Sequence, residues 1–465
     1  LRIVPPAGDL YTDEEVTRAT QVWRRFVSTD PIFQPLHFRN LTVKNRLFRS
    51  SLSGRFDHYD GSGTPLRIAW DVKFARNGIG TIISSNSPVD PRGLIIPNYA
   101  SIDRDDRIPF WRELAKRVHE HDCAYIVQIA HSGRQRDSGG IEFKKGVSST
   151  SKPEPIHGLE GEKLTVPQIQ QIVQKFADAA RRAREAGMDG VEVHGCNGYL
   201  ITQFLSSAIN DRDDDYGGSL ENRARFALEI VRAIRREVGD DFHLQFKISA
   251  VEDYDAVLPW LGKGNTLEES IRVVKWLEEA GVDGFHVSSG ASFPHPRNPA
   301  GTMSLKDIVG TYDSVISSGK HTFRNYLAFR TFPFNRVFKW QWERPAKRMK
   351  VEGINLQDAR AVKKAVSVPV IVTGGFQTAS VIRNALTNGW VDGVSMARTL
   401  LANPDLPQMF AEGVDRPPRP CTYCNKCLVN FLENPIGCYE ESRYPSREKM
   451  IEEIFSVYRL EPEFG

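Results

Sequence analysis

Short apolar runs recur along the chain, separated by longer stretches whose apolar residues fall at helical spacing. The clearest signal is a phrase written three times: REAGMDGVEVHG (184–195), EEAGVDGFHVSSG (278–290) and TNGWVDGVSMAR (387–398). Each has a polar, helix-compatible lead-in, a Gly suited to a helix C-terminus, an Asp-Gly turn and a short apolar run, which together predict a helix followed by a strand. Five further runs read as strands: NRLFRSSL (45–52), GTIISSN (80–86), AYIVQIAH (124–131), HLQFKIS (243–249) and PVIVTGG (369–375). Helix-compatible segments lie between them at 110–121, 167–186, 221–237, 266–280, 355–366 and 377–388. Strands that are apolar throughout and alternate with amphipathic helices predict a parallel sheet covered by helices. Eight such units predict an α/β fold of the (β/α)8 TIM-barrel type. No GxGxxG follows an early strand, which argues against an open dinucleotide-binding sheet.

Three segments fall outside the eight units. Residues 1–34 form an N-terminal extension with a predicted short helix, DEEVTRATQVWRRF (13–26). Within the barrel, assigned to 35–410, residues 291–353 form a long insertion after the sixth strand, far beyond a usual βα loop. Residues 411–465 form a Cys-rich tail that ends in a helix-like run, REKMIEEIFSVY.

Composition narrows the function classes. Lys and Arg total 61 against 58 Asp and Glu, so the net charge of +3 gives no reason to expect a nucleic-acid partner. With 40% hydrophobic and 26% charged residues the chain reads as globular. No stretch approaches the roughly 18 to 20 uncharged apolar residues of a membrane span, and the N-terminus lacks a basic segment followed by an apolar one. A cytoplasmic location is therefore expected. Of the six cysteines, Cys123 and Cys196 stand alone in apolar runs, whereas Cys421, Cys424, Cys427 and Cys438 crowd into the tail. In that setting such a cluster suggests a metal before disulfides.

Reactive groups of a (β/α)8 barrel sit where strands end. After the fourth strand come His194, Asn197 and Tyr199, which can converge on one small polar group. After the seventh come Gly374 and Gly375, and after the eighth Ala397 and Arg398; free backbone N–H groups beside an Arg suit a phosphate. Gln128 and Lys247 lie inside apolar strands, where an amide and a cation are costly unless paired. A polar, electron-poor heterocycle above the barrel would partner both; for Lys247 a salt bridge is the simpler alternative.

Four motifs then resemble a known family. VKNRLFRSSLS (43–53), VQIAHSGRQ (127–135), VEVHGCNGYLITQFLSSAINDRDDDYGGSLENRARF (191–226) and PVIVTGGF (369–376) are similar to the old yellow enzyme family of FMN-dependent NADH:flavin oxidoreductases. The similarity runs from about residue 35 to about 410, with the motifs in barrel order. It implies that Ser51, Leu52 and Ser53 lie along FMN, that Asn86 contacts the same ring edge through its backbone, and that Gln128 bonds the pyrimidine ring. It also implies that Gly374, Gly375 and Arg398 cradle the phosphate. Lys247 stands where the family usually has Arg, which keeps the charge but loses the planar fork. His194 and Asn197 match the pair that binds the substrate oxygen, and Tyr199 the proton donor. The implied reaction is reduction of an activated alkene (enone, enoate, nitroalkene or dienoyl type) at the expense of NAD(P)H. Two alternatives stay open: an FMN and Fe–S dehydrogenase that oxidises an amine or other reduced substrate, and a non-redox barrel enzyme that binds a phosphorylated ligand.

The insertion contains FRNYLAFRTFPFNRVFKWQWERPAKRMK, with aromatics and cations interleaved. It reads as an amphipathic segment laid on the barrel, or as a lid that sets substrate choice. The pattern Cys421-x2-Cys424-x2-Cys427-x10-Cys438 resembles the cluster motif of the dienoyl-CoA reductase and trimethylamine dehydrogenase branch, although its last spacing differs. A 4Fe–4S cluster fed by a separate electron-transfer protein, a structural zinc, and reduced thiols without metal are the three readings. A homo-oligomer is expected.

Overall fold

The computed structural model describes residues 29–136, 145–256, 258, 260–292, 294–311, 319–348 and 350–458. The helix predicted at 13–26 lies outside the described residues. Eight strands form the barrel: β1 (Leu47–Arg49), β2 (Thr81–Ile83), β3 (Ala124–Ala130), β4 (Gly190–Gly195), β5 (His243–Ser249), β6 (Gly284–Ser288), β7 (Val370–Thr373) and β8 (Gly393–Met396). Each pairs in parallel with the next. The register Val394↔Leu47 joins β8 back to β1 and closes the ring. Closure removes both sheet edges, and each strand is covered on two faces, which is why the strands read as apolar throughout.

The helices alternate with the strands: α1 (Pro65–Arg76), α2 (Ile108–His119), α3 (Val166–Glu185), α4 (Leu220–Val238), α5 (Leu267–Glu279), α6 (Leu356–Lys363), α7 (Ala379–Thr387) and α8 (Leu406–Ala411). Local sequence explains their starts. Thr165 and Gln168 form a capping box at α3, as do Thr266 and Glu269 at α5, and the Ser219 hydroxyl accepts from the Asn222 N–H at α4. Ile169, Phe176 and Ala180 of α3, and Phe226, Ile230 and Ile234 of α4, are buried in the main core, which runs from these helices into the strands.

Helix α1 went unrecognised in the sequence because it buries charge. Arg67 and Asp71 sit on its inner face with fully buried side chains, so no apolar stripe forms. Asp71 accepts from Arg49 of β1 at 2.5 Å, from Arg67 at 2.9 Å and from the Tyr125 phenol of β3 at 2.6 Å. Burial pushes the carboxyl up, but the two guanidinium groups and the phenol outweigh it and hold it below the usual carboxylate range.

The described residues of the insertion and of the tail include helices. Between β6 and α6 lie helices at Leu305–Thr311, Thr322–Arg330 and Phe334–Arg348. The aromatics of this insertion are divided rather than laid wholly on the barrel: Trp342 is buried with Met303 and Val429, while Phe323, Phe332, Phe334 and Trp340 are exposed. The tail returns to the barrel through Arg443, whose Nη2 donates to the Ala402 carbonyl at 2.7 Å, and its run 447–458 forms a helix at Arg447–Phe455. Among the described residues no helix is long and apolar enough to cross a membrane.

Replacing Asp71 by Asn would leave Arg49 buried without a counter-charge and Arg67 with only Asp57, 3.6 Å away. Asp71→Asn is expected to lower unfolding free energy by about 3 to 5 kcal/mol, measured by urea denaturation. A loss under 1 kcal/mol would show that the network does not anchor α1 to the barrel.

Candidate active site

The carboxyl ends of the strands enclose a cavity of about 220 Å³. Around it stand Ser51, Leu52 and Ser53 after β1, Asn86 after β2, Gln128 in β3, and His194, Asn197 and Tyr199 at and beyond the end of β4. Lys247 of β5, Gly374 and Gly375 after β7, and Ala397 and Arg398 after β8 complete the wall. The fold thus gathers into one place the positions that the sequence pointed to separately, apart from three of the four tail cysteines. Cys427 joins them, together with Leu428 and Phe431 of the tail.

Below this cavity lies a polar network that sequence reasoning missed. Glu192 of β4 is fully buried and accepts from Gln128 Nε2 at 2.6 Å and from Gln245 Nε2 at 2.5 Å. His286 Nδ1 lies 2.8 Å from its second oxygen, and His286 Nε2 is 2.8 Å from the Ser395 hydroxyl. Burial pushes Glu192 up; His286, Lys247 and the Gln128 bond outweigh it and bring the carboxyl down to about 2. The anion therefore claims the amide N–H side of Gln128, which fixes that amide's orientation and leaves its carbonyl oxygen for a ring N–H. The signal was present: an acidic residue in the apolar run VEVHG carries the same meaning as Gln128 and Lys247 in theirs. Lys247 makes no ion pair within 4.0 Å with a described carboxylate, so the salt-bridge alternative is not what this structure shows.

His194 is neutral. Burial, and then the Lys247 charge, depress it to about 3. Asn86 Nδ2 lies 3.3 Å from His194 Nδ1, which makes Nδ1 the acceptor and places the ring proton on Nε2. Asn86 therefore acts through its side chain on His194, in addition to any backbone contact. Asn197 adopts φ 62°, a left-handed conformation that Asn tolerates. Its Nδ2 donates to the Ser289 carbonyl at 3.2 Å and its Oδ1 accepts from the Cys196 thiol at 2.6 Å. Cys196, pushed up to about 12 chiefly by burial, stays a thiol and orients this amide. The Tyr199 ring lies 4.8 Å from the His194 ring. Burial first, then Tyr99 and Cys196, push its phenol well above 10.

At the opposite end, Gly375 has φ 72°, and a Cβ there would approach the Tyr423 ring to 3.1 Å. Tyr423 donates its phenol proton to the Gly375 carbonyl at 2.5 Å, and the Arg398 guanidinium stacks over the same ring at 5.6 Å. Arg398 also bonds the Asn425 side-chain oxygen. The cavity therefore offers an arginine and bare backbone at one end, and an amide and an ammonium towards the other. Asn86 Oδ1, Asn355 Oδ1 and Thr399 Oγ1 line it as buried polar atoms without a hydrogen-bond partner. An anionic phosphate satisfies the arginine, the bare backbone and the Thr399 hydroxyl, and a polar heterocycle bearing an N–H satisfies the amide oxygens, so the residues fit FMN.

The four tail cysteines lie close enough together for Cys421, Cys438 and Cys424 to act on the Cys427 thiol. Among the described residues no group of three or more His, Cys, Asp or Glu is arranged to hold a metal ion. The Cys438 sulfur accepts from Arg443 at 3.0 Å, and burial pushes the Cys421, Cys424 and Cys427 thiols up. No catalytic step is routed through a cluster here.

The model of the NADH:flavin oxidoreductase / NADH oxidase family matches residues 31–317 and 334–416. The chain belongs to this family. An NADH oxidase from Thermoanaerobacter brockii is 32% identical over 438 residues, covering 90% of this chain and 59% of its own length. A multifunctional alkene reductase/demethylase from Caballeronia cordobensis is 27% identical, covering 89% of this chain and 54% of its own length. Among solved structures, a 2-naphthoyl-CoA reductase complex superposes with TM-score 0.69 at 26% identity, over 88% of this chain and 56% of that one. The chain thus spans under three fifths of these relatives. Membership of this family favours the flavin readings over the non-redox one.

Glu192 also makes acid stability measurable. Its folded pKa of about 2 lies below the unfolded value of 4.5, so its contribution is complete above pH 4.5 and is lost as pH falls towards 2. The shift corresponds to about 3 kcal/mol. Denaturation midpoints measured between pH 6 and 2 are expected to fall steeply in the wild type and to flatten in Glu192→Gln; identical slopes would remove the network's role.

Proposed function

We propose that this protein uses NAD(P)H to reduce activated C=C bonds of the enone, enoate, nitroalkene or dienoyl type. The observation that carries the reading is a neutral His194 and an oriented Asn197 amide beside a Tyr199 phenol kept protonated, in a cavity whose other walls fit FMN. Bound there, FMN supplies the two-electron hydride chemistry.

The chain's own residues supply the rest. The His194 Nε2–H and the remaining amide hydrogen of Asn197 hold the activating oxygen of the alkene, where negative charge builds as the β carbon is reduced. A neutral imidazole suits this role because its proton is donated in a hydrogen bond and not released. Tyr199 holds the proton that the α carbon needs. Its surroundings disfavour the phenolate, so the proton moves only onto a carbon carrying charge, and it must be replaced before the next turnover. Lys247 puts a positive charge beside the part of the cavity where Gln128 orients a heterocycle. The NADH oxidase name of one relative supports NADH as the electron source, and the alkene-reductase part of the other's name supports the substrate class.

A second reading rests on the tail. Its Cys421–Cys427 loop is locked to the cavity by Tyr423 and Asn425, and Cys427 lines the wall. The cysteine spacing supports either a 4Fe–4S cluster at this place, served by a separate electron-transfer protein, or a structural zinc. Iron, acid-labile sulfide and zinc determinations on anaerobically purified protein distinguish these from four reduced thiols.

Mixing the FMN-loaded protein anaerobically with NADH or NADPH is expected to bleach the flavin absorbance, and adding 2-cyclohexen-1-one to restore it. Tyr199→Phe is expected to slow the alkene half-reaction by about 10² to 10⁴, far more than it slows bleaching. Equal slowing of the two half-reactions would sink the proton-donor role.

A further inference from the structure

A second cavity, of about 380 Å³, opens beside the first. The two share Tyr99 and Tyr199, so the second begins where the reacting carbons would lie. Its outer wall comes from the insertion: Phe329 of the Thr322–Arg330 helix, and Phe338 and Trp342 of the Phe334–Arg348 helix. Phe329 and Phe338 pack with ring centroids 4.5 Å apart, and Phe338 stacks on Trp342 at 6.1 Å and 29°. Met303 and Leu428 close the space between insertion and tail. The family model leaves residues 318–333 unmatched, so Phe329 lies outside the matched range while Phe338 and Trp342 lie within it.

The lining is chemically one-sided. No Asp or Glu is among its residues. Arg136 Nη1 is engaged by the Arg92 carbonyl at 3.0 Å, and Arg324 is exposed. An apolar void of about 150 Å³ accommodates one benzene ring, so this cavity has room for a body of about two rings.

We infer that the insertion builds a binding site for the apolar body of a bulky alkene, one bearing two or more fused or linked rings and uncharged over the part it buries. This rests on the alkene-reductase reading and specifies its substrate class. The activating oxygen lies at His194 and Asn197, the reducible bond beside Tyr199, and the ring system against Phe329, Phe338 and Trp342. Small alkenes reach the same catalytic groups but leave the second cavity unfilled, so the insertion selects by size.

The test compares trans-chalcone with 2-cyclohexen-1-one on the FMN-loaded protein, in wild type and in Phe338→Ala. Wild type is expected to show a kcat/KM at least about tenfold higher for chalcone, through KM, since burying one further ring is worth that much or more. Phe338→Ala is expected to reduce the chalcone value about tenfold more than the cyclohexenone value. A preference for cyclohexenone, or an equal loss for both, overturns the proposal. Phe338 is only half-buried, so the variant should fold; its circular dichroism is checked, and Phe329→Ala serves as the second variant, with the same expected ratio. If neither alkene is reduced although NAD(P)H bleaches the flavin, the reductase reading fails and the cavity is judged by binding alone. Saturable quenching of tryptophan fluorescence by chalcone, weakened about tenfold in Phe338→Ala, would then support the site, and no saturable quenching would overturn it.

Discussion

An ionised carboxylate at the centre of the barrel governs the arrangement of the site. Glu192 is fully buried, and such a charge persists only if surrounding donors replace the water it has lost. Gln128, Gln245 and His286 do so from three different strands, which ties the strand register to the orientation of each side chain. One consequence is the amide orientation of Gln128 at the floor of the cavity. Another is a position for Lys247 that places its positive charge near Glu192 and near the cavity together. The same charge helps to keep His194 neutral, so the acid that orders the barrel and the imidazole that would bind substrate belong to one electrostatic unit.

Segments outside the eight repeats finish the site. The Gly375 turn and Arg398 are held by Tyr423 and Asn425, which belong to the cysteine-bearing tail. Gln377 reinforces that seat, exchanging bonds with the Cys421 backbone and donating to the Tyr423 phenol. The opposite side of the mouth is walled by the insertion. Barrel strands thus place the reacting groups, and the two appended segments set how far the cavity extends and what it excludes.

Much of this architecture was legible along the chain. Strand positions could be read because both faces of each strand are covered, so that polar residues stand out as anomalies: Gln128, Lys247 and, unnoticed, Glu192. Helices α3, α4, α5 and α7 declared themselves through the helical spacing of their apolar residues. Helix α1 stayed hidden because its inner face carries Arg67 and Asp71, a pair that makes sense only once Arg49 and Tyr125 are brought beside it. The backbone contact expected of Asn86 is joined by a side-chain contact with His194 Nδ1 that no local sequence signal announces. The cysteines stood out by their spacing alone, whereas the place of Cys427 in the cavity wall needed the folded tail.

By itself the sequence determined the barrel, the order of its motifs and the identity of the groups facing its mouth. The barrel follows from local periodicity, Gln128 and Lys247 from the cost of placing polar residues in apolar strands, and the other groups from the strand ends and from the resemblance to a known family. Only the tertiary structure decided the state of those groups: which nitrogen of His194 bears its proton, why Glu192 remains charged, and how Arg398 is held by a residue 27 positions further on. Each of these depends on desolvation and on partners distant in the chain, and neither can be read from neighbours in sequence. The extent of the second cavity belongs to the same class, because it exists only between an insertion and a tail that the barrel brings together.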